Sequence, residues 1–136
     1  MSDPDWPFSM ETVVRFRDCD PMGHVNNAVY LTYFEIARVE FWSRHVSRTD
    51  VPFILAEATV TFRAPARTGQ TLKIEMAVES IGTKSWTFLY RITDAGTRTE
   101  IALGRSVQVA YDYAASRTVP LAAELKAKLT EFQVQA

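Results

Sequence analysis

The sequence predicts an α+β fold in which one antiparallel sheet wraps around one long helix. Three observations lead there. The chain has 136 residues, 47% of them hydrophobic and 12% aromatic, which suits a single domain over residues 1–136 with one sizeable core. Residues 27–45 carry apolar side chains on nearly every side at helical spacing, so the helix they form should be buried nearly all round. Four segments with two-residue periodicity follow, joined by tight turns, and such connections imply antiparallel pairing.

The elements are expected in this order. Residues 10–17 (METVVRFR) are rich in β-branched and aromatic types and form a first strand after a loose lead-in over 1–9. Pro21 and Gly23 make residues 18–26 a loop. Asn26 is placed to cap the helix, its side chain accepting a first-turn amide. Tyr30, Tyr33, Phe34, Ala37 and Phe41 follow the helical period, with Glu35, Arg38, Glu40 and Arg44 supplying the charge. Residues 53–64 put Ile54, Ala56, Ala58, Val60 and Phe62 on one face of a strand. Residues 71–81 alternate Leu72, Ile74, Met76 and Val78 with charged positions. Across a Gly82-Thr83 hairpin, residues 84–93 group Trp86, Phe88, Tyr90 and Ile92. After the turn at 94–96, residues 99–113 set Ile101, Leu103, Val107, Val109 and Tyr111 against a row of small residues, Ala102, Gly104, Ser106 and Ala110 with Gln108. A small row lets a helix approach a sheet closely. Residues 120–132 form a terminal helix.

Charge and cysteine content narrow the function classes. Fifteen basic against sixteen acidic residues give a net charge of −1, and no electrostatic reason for a nucleic-acid or anionic-membrane partner. The single Cys19 rules out an intrachain disulfide and fits a reducing compartment. The start, MSDPDWPFSM, has no basic residue and does not have the form of a secretory leader. No apolar run approaches the roughly 20 residues that span a bilayer. A cytoplasmic location is the expectation. No Cys/His cluster has metal-ligand spacing, and neither metal nor other cofactor is expected.

Residues 15–42 read RFRDCDPMGHVNNAVYLTYFEIARVEFW. This segment resembles the 4-hydroxybenzoyl-CoA thioesterase family of hotdog-fold proteins, in the aspartate type, where a D-x-D-x-x-G loop precedes a long helix. The GHVNN continuation is more similar to the broad acyl-CoA thioesterases of that family. The resemblance continues through ATVTFRAPARTGQTLKI and IGTKSWTFLYRI to about residue 113. It implies a five-stranded antiparallel sheet around the central helix, hydrolysis of acyl-CoA to a carboxylic acid and CoA, and a homodimer or homotetramer with the site between subunits.

Thioester hydrolysis needs a polarised carbonyl, an activated nucleophile and a hold on the anionic CoA. The resemblance places the carbonyl's donor at the backbone amide near Asn27, and a helix N-terminus suits a developing oxyanion. Asp20 matches the family's carboxylate, as general base on water or as nucleophile through a mixed anhydride; the sequence leaves both routes open. An aspartate before Pro-x-Gly is otherwise a common turn residue whose side chain accepts local amides. Asp18 corresponds to a structural aspartate able to pair with Arg15 or Arg17. His24 is assigned to orienting water, bonding Asp20 or supporting the loop. Tyr30 reads as core. Cys19 reads as packing, because two flanking carboxylates disfavour a thiolate. Lys84 and Ser85, at a strand start where the resemblance implies CoA phosphate contacts, and Arg63 are the candidate substrate-binding residues. An acyl-carrier-protein thioesterase, a hotdog hydratase or dehydratase, and a non-catalytic acyl-CoA binder are the competing functions.

Overall fold

The structure is a computed structural model, and it describes residues 6–134. Residues 1–5, which include half of the segment considered as a leader, lie outside the described residues. Among them no helix is long and apolar enough to cross a membrane.

Strand β1 (Phe8–Val13) is followed by a single 3-10 turn (Phe16–Asp18) and helix α1 (Val29–His45). Four long strands come next: β2 (Phe53–Phe62), β3 (Thr71–Ile81), β4 (Ser85–Asp94) and β5 (Glu100–Asp112). A two-residue strand β6 (Arg117–Thr118) and helix α2 (Ala123–Glu131) follow. The order across the sheet is β1-β3-β4-β5-β2, antiparallel throughout, with β6 added to β5.

The expected five strands are present and β6 is a sixth. It exists because the Asp112 carboxylate accepts the Ala114 and Ala115 amides and turns the chain back along β5, a pairing too short to leave a sequence pattern. The first strand lies earlier than expected. Asp18 captures both the backbone amide and the guanidinium of Arg15, which folds residues 15–18 out of extended conformation. Helix α1 starts two residues later than expected. The Asn26 side chain accepts from the Ala28 amide and its carbonyl from the Val29 amide, so Asn26 caps a turn ahead of the helix.

The small row of β5 faces α1, as expected. Phe34 stacks on Tyr90 at 4.4 Å between centroids, and a Cβ at Gly104 would overlap the Phe34 ring. Trp42 lies parallel to Trp86 at 5.9 Å, extending the aromatic layer toward the start of β4. Residues of β3 and β4 complete the core, with Leu72, Ile74, Val78, Trp86, Phe88 and Ile92 almost fully buried.

Two expectations fail along one side of the molecule. Helix α1 is not buried all round: Leu31 is 43% and Val39 61% exposed, with exposed Glu35 between them one turn from each. Nothing among the described residues forms a second layer over that flank. On β2, the register passes from Leu55↔Gln108 to Glu57↔Val107, leaving Ala56 as an extra residue. That bulge puts Phe53 and Leu55 on the same face as Ala58, Val60 and Phe62, and turns Ile54 to the opposite one. At the far side of the sheet, β1 follows β3 only as far as Met76, and beyond it Phe132 and Val134 bond to the backbone of Val78.

Candidate active site

The D-x-D-x-x-G segment is a miniature hairpin. Cys19 pairs with Val25, the Asp20 amide donates to the His24 carbonyl at 2.8 Å, and the Gly23 amide returns to the Asp20 carbonyl at 2.9 Å. Gly23 has φ +85°, a conformation that side chains disfavour and glycine adopts freely. An antiparallel bridge from His24 to Arg67, and a bond from the Val25 amide to the Ala66 carbonyl, fix this hairpin against the segment that follows β2.

The two aspartates have separate environments. Asp18 is 3% exposed and receives the Arg15 guanidinium at 2.9 Å and the Tyr33 hydroxyl at 2.9 Å. Burial pushes its carboxyl up, but the Arg15 side chain, the Arg15 amide and Tyr33 outweigh burial and hold it below the usual carboxylate range. Tyr33 is driven the other way, by burial and by its bond to that carboxylate. Asp18 is thereby committed to its neighbours. Asp20 has one oxygen committed: Oδ1 accepts the Met22 amide at 2.9 Å, with a longer contact of 3.4 Å from the His24 amide. The turn role open to this residue is therefore real. Its Oδ2 has no bonded partner among the described residues.

A cavity of about 300 Å3 brings together Asp20, His24, Asn27 and Arg63, four of the six residues expected at the site. Tyr30, Phe62 and Pro65 line it as well. Tyr30, expected as core, is 2% exposed and forms edge contacts with Tyr33 and Phe62 while still walling the cavity. The segment 62–65 arrives through the His24–Arg67 bridge, a tertiary pairing that leaves no local spacing to read. Asn27 lies in the turn just ahead of α1, and among the described residues its amide has no acceptor. Asp20 with its unpaired carboxylate oxygen, Asn27 with its unpaired amide, and Arg63 thus line one solvent-accessible space near the positive end of α1.

Lys84 and Ser85 lie elsewhere. The Lys84 carbonyl accepts from Ala110, whose register partner on β2 is Phe53. The Asp20 cavity sits at the Phe62 end of the same strand. Nine steps along the strand at about 3.3 Å each separate the two ends by roughly 30 Å. Near the Phe53 end a larger cavity of about 410 Å3 opens between α1 and β2, walled by Val39, Trp42, Val51, Phe53 and Leu55 and including Arg38.

A model of the thioesterase-like superfamily matches residues 14–129. The acyl-CoA thioester hydrolase YbgC of Escherichia coli O157:H7 is 31% identical over 96 residues, 66% of this chain and 69% of that one. Two solved structures superpose closely. A predicted thioesterase from Bacillus stearothermophilus gives a TM-score of 0.85 at 26% identity, covering 95% of this chain and 98% of the other. A thioesterase from Thermus thermophilus, complexed with coenzyme A and Zn, gives 0.83 at 28% identity, covering 92% and 98%.

Proposed function

This chain belongs to the thioesterase-like superfamily of thioester hydrolases, and from that premise we propose that it hydrolyses acyl-CoA through the Asp20 cavity. The observation that carries this reading is that Asp20, whose Oδ2 is without a partner among the described residues, and Asn27, whose backbone amide is likewise unpaired among them, line one cavity. The thioester oxygen takes the Asn27 N–H, which strengthens as negative charge develops there. With Asp20 as base, Oδ2 removes a proton as water attacks the carbonyl carbon. The tetrahedral intermediate then expels the CoA thiolate, and the proton returns from Asp20 to sulfur. With Asp20 as nucleophile, Oδ2 bonds to the acyl carbon, the thiolate leaves, and water cleaves the anhydride. The amide donor serves both routes. His24 supports the hairpin that aims Asp20, and Arg63 on the cavity wall attracts the anionic substrate.

The working unit in this reading is a dimer. Strand β2 has one free edge, and beside it the apolar side chains of Leu31, Val39, Leu55 and Phe62 are exposed. Unpaired edges flanked by apolar surface favour association. Antiparallel pairing of β2 with its copy across a two-fold axis sets the Phe62 end of one strand beside the Phe53 end of the other. The Asp20 cavity of one protomer then faces the 410 Å3 cavity and the Lys84 end of its mate. Lys84 and Ser85 reach the CoA phosphates held by the opposite protomer, and the acyl group enters the larger cavity. Thiol release from CoA esters between acetyl and palmitoyl tests the activity. No turnover across that panel, with the protein folded and dimeric, would remove the thioesterase assignment.

A further inference from the structure

Arg38 is the one buried arginine or lysine among the described residues, 7% exposed on α1. No carboxylate among them lies within ion-pair distance of it. Its single hydrogen bond runs from a terminal nitrogen to the Tyr90 hydroxyl at 3.1 Å. That hydroxyl shares a 2.6 Å bond with the Ser106 hydroxyl, which accepts from the Gln108 side-chain amide at 2.5 Å. These partners are neutral. A guanidinium carries five N–H donors, so four have no protein partner among the described residues, and its unbonded nitrogens are not among the fully buried unpaired atoms, so they keep access to solvent. A cation enclosed this far among neutral partners gains from an anion brought to it.

The surroundings of Arg38 say what anion fits. It lines the 410 Å3 cavity, whose other walls are chiefly Val39, Trp42, Val51, Phe53 and Leu55. The charged lining is Arg38 and Arg48 against Glu35, a net +1. An aliphatic stem suits such walls, and a planar fork at the inner side suits a carboxylate, which guanidinium binds through two parallel hydrogen bonds. We propose that this cavity is a specificity site in which Arg38 selects acyl groups bearing a second carboxylate, remote from the thioester. The proposal rests on the thioesterase reading above, which sets the reacting carbonyl of the opposite protomer at the mouth of this cavity. A rival source for the missing anion is Glu35 of a second copy, since an isologous contact would set it against Arg38 twice over.

Chain-matched substrates separate these possibilities. Adipyl-CoA should exceed hexanoyl-CoA in kcat/KM by about tenfold or more, in line with hydrogen bonds between charged groups. Arg38→Met should abolish or reverse that ratio, and Arg38→Lys should keep only part of it. Calorimetric titration reads the site without turnover: wild type should bind the monoamide of adipic acid, whose one carboxylate stands for the remote one, more tightly than the neutral hexanamide, and Arg38→Met should not. If Arg38→Met fails to fold, the wild-type ratio and titration still decide. Failure to hydrolyse either ester would count against the thioesterase reading and leave the titration to judge the site. Equal kcat/KM for the pair, equal binding of the monoamide and hexanamide, or a preference that survives Arg38→Met would overturn the proposal. Equal kcat/KM together with a dimer that Glu35→Gln dissociates would assign the missing anion to the second copy.

Discussion

Tyr33 reaches out of α1 to donate its hydroxyl to the buried carboxylate of Asp18 at 2.9 Å, tying the helix to the loop that carries Asp20. The bond makes Asp18 a stability residue with a definite pH signature. Its carboxyl is held low in the folded state, so folding favours the ionised form. The stabilisation is complete above the ordinary carboxylate value of about 3.9 and is lost as pH falls through the lower folded value. Asp18→Asn should lower Tm at neutral pH and flatten the acid limb of a Tm-against-pH curve. Tyr33→Phe should cost about 1.5–3 kcal/mol, as for a hydrogen bond to a charged group. A Tyr33→Phe protein as stable as wild type in chemical denaturation would refute this account.

Asp20→Asn should behave in the opposite way. The amide oxygen can still accept from Met22, so the turn and Tm survive. Removing the free carboxylate oxygen should lower kcat by about 10²–10⁴-fold, and by more if Asp20 is the nucleophile. Measuring kcat/KM and Tm for Asp18→Asn and Asp20→Asn side by side decides which aspartate does chemistry. An Asp20→Asn enzyme within tenfold of wild type would contradict the proposed mechanism.

Lys84 provides a test of the shared site. Lys84→Ala should raise KM for CoA esters and spare kcat, because a remote phosphate contact is present in ground and transition states alike. The effect should shrink as salt rises, since exposed charges are screened over roughly 10 Å at 0.1 M. Heterodimers of Lys84→Ala with Asp20→Asn discriminate further. If the site combines both protomers, one of its two copies is wholly wild type, and low KM returns at half the native kcat. Sites confined to one protomer would keep the high KM of Lys84→Ala.

Gly104 governs how closely α1 approaches the sheet. A methyl group there meets the Phe34 ring, itself stacked on Tyr90 and unable to retreat inward. Gly104→Ala should destabilise by about 1–3 kcal/mol, the usual range for overpacking a filled core. Gly104→Ala combined with Phe34→Leu should recover part of the loss; unfolding curves in urea read both. Wild-type stability of Gly104→Ala alone would mean that the layers separate more easily than the packing implies.

These features differ in how far the amino-acid order announces them. Alternation in β3 and β4 survives folding because each strand has one face on the core, so Leu72, Ile74, Trp86 and Phe88 can be read directly. The small row around Gly104 is equally plain, since only a close neighbour explains it. Asp20, Asn27 and His24 stand in one contiguous motif. The start of α1 is harder to place because an asparagine cap and an asparagine turn share the same composition, and Asn26 serves the turn. The Ala56 bulge inverts Ile54 and Leu55, and nothing in an alternating run marks where one residue drops out of register. Arg38 passes for a solvated charge because its burial depends on Tyr90 and Ser106, distant in sequence and brought together only by the sheet.

Strand β2 leaves the ribosome directly after α1, yet it pairs with β5, the last long strand, through partners between Ala102 and Ala110. Until those residues emerge, a nascent chain displays α1 and a ten-residue strand with both edges open. Pairing over such separations is slow, and uncovered strands find wrong partners in the meantime. Chains terminated before β5 should therefore accumulate as aggregates, and slower synthesis at low temperature should raise the soluble yield of the full-length protein. The same strand that awaits β5 during synthesis is the one that the proposed dimer pairs with a second copy, so that assembly would complete what translation leaves open.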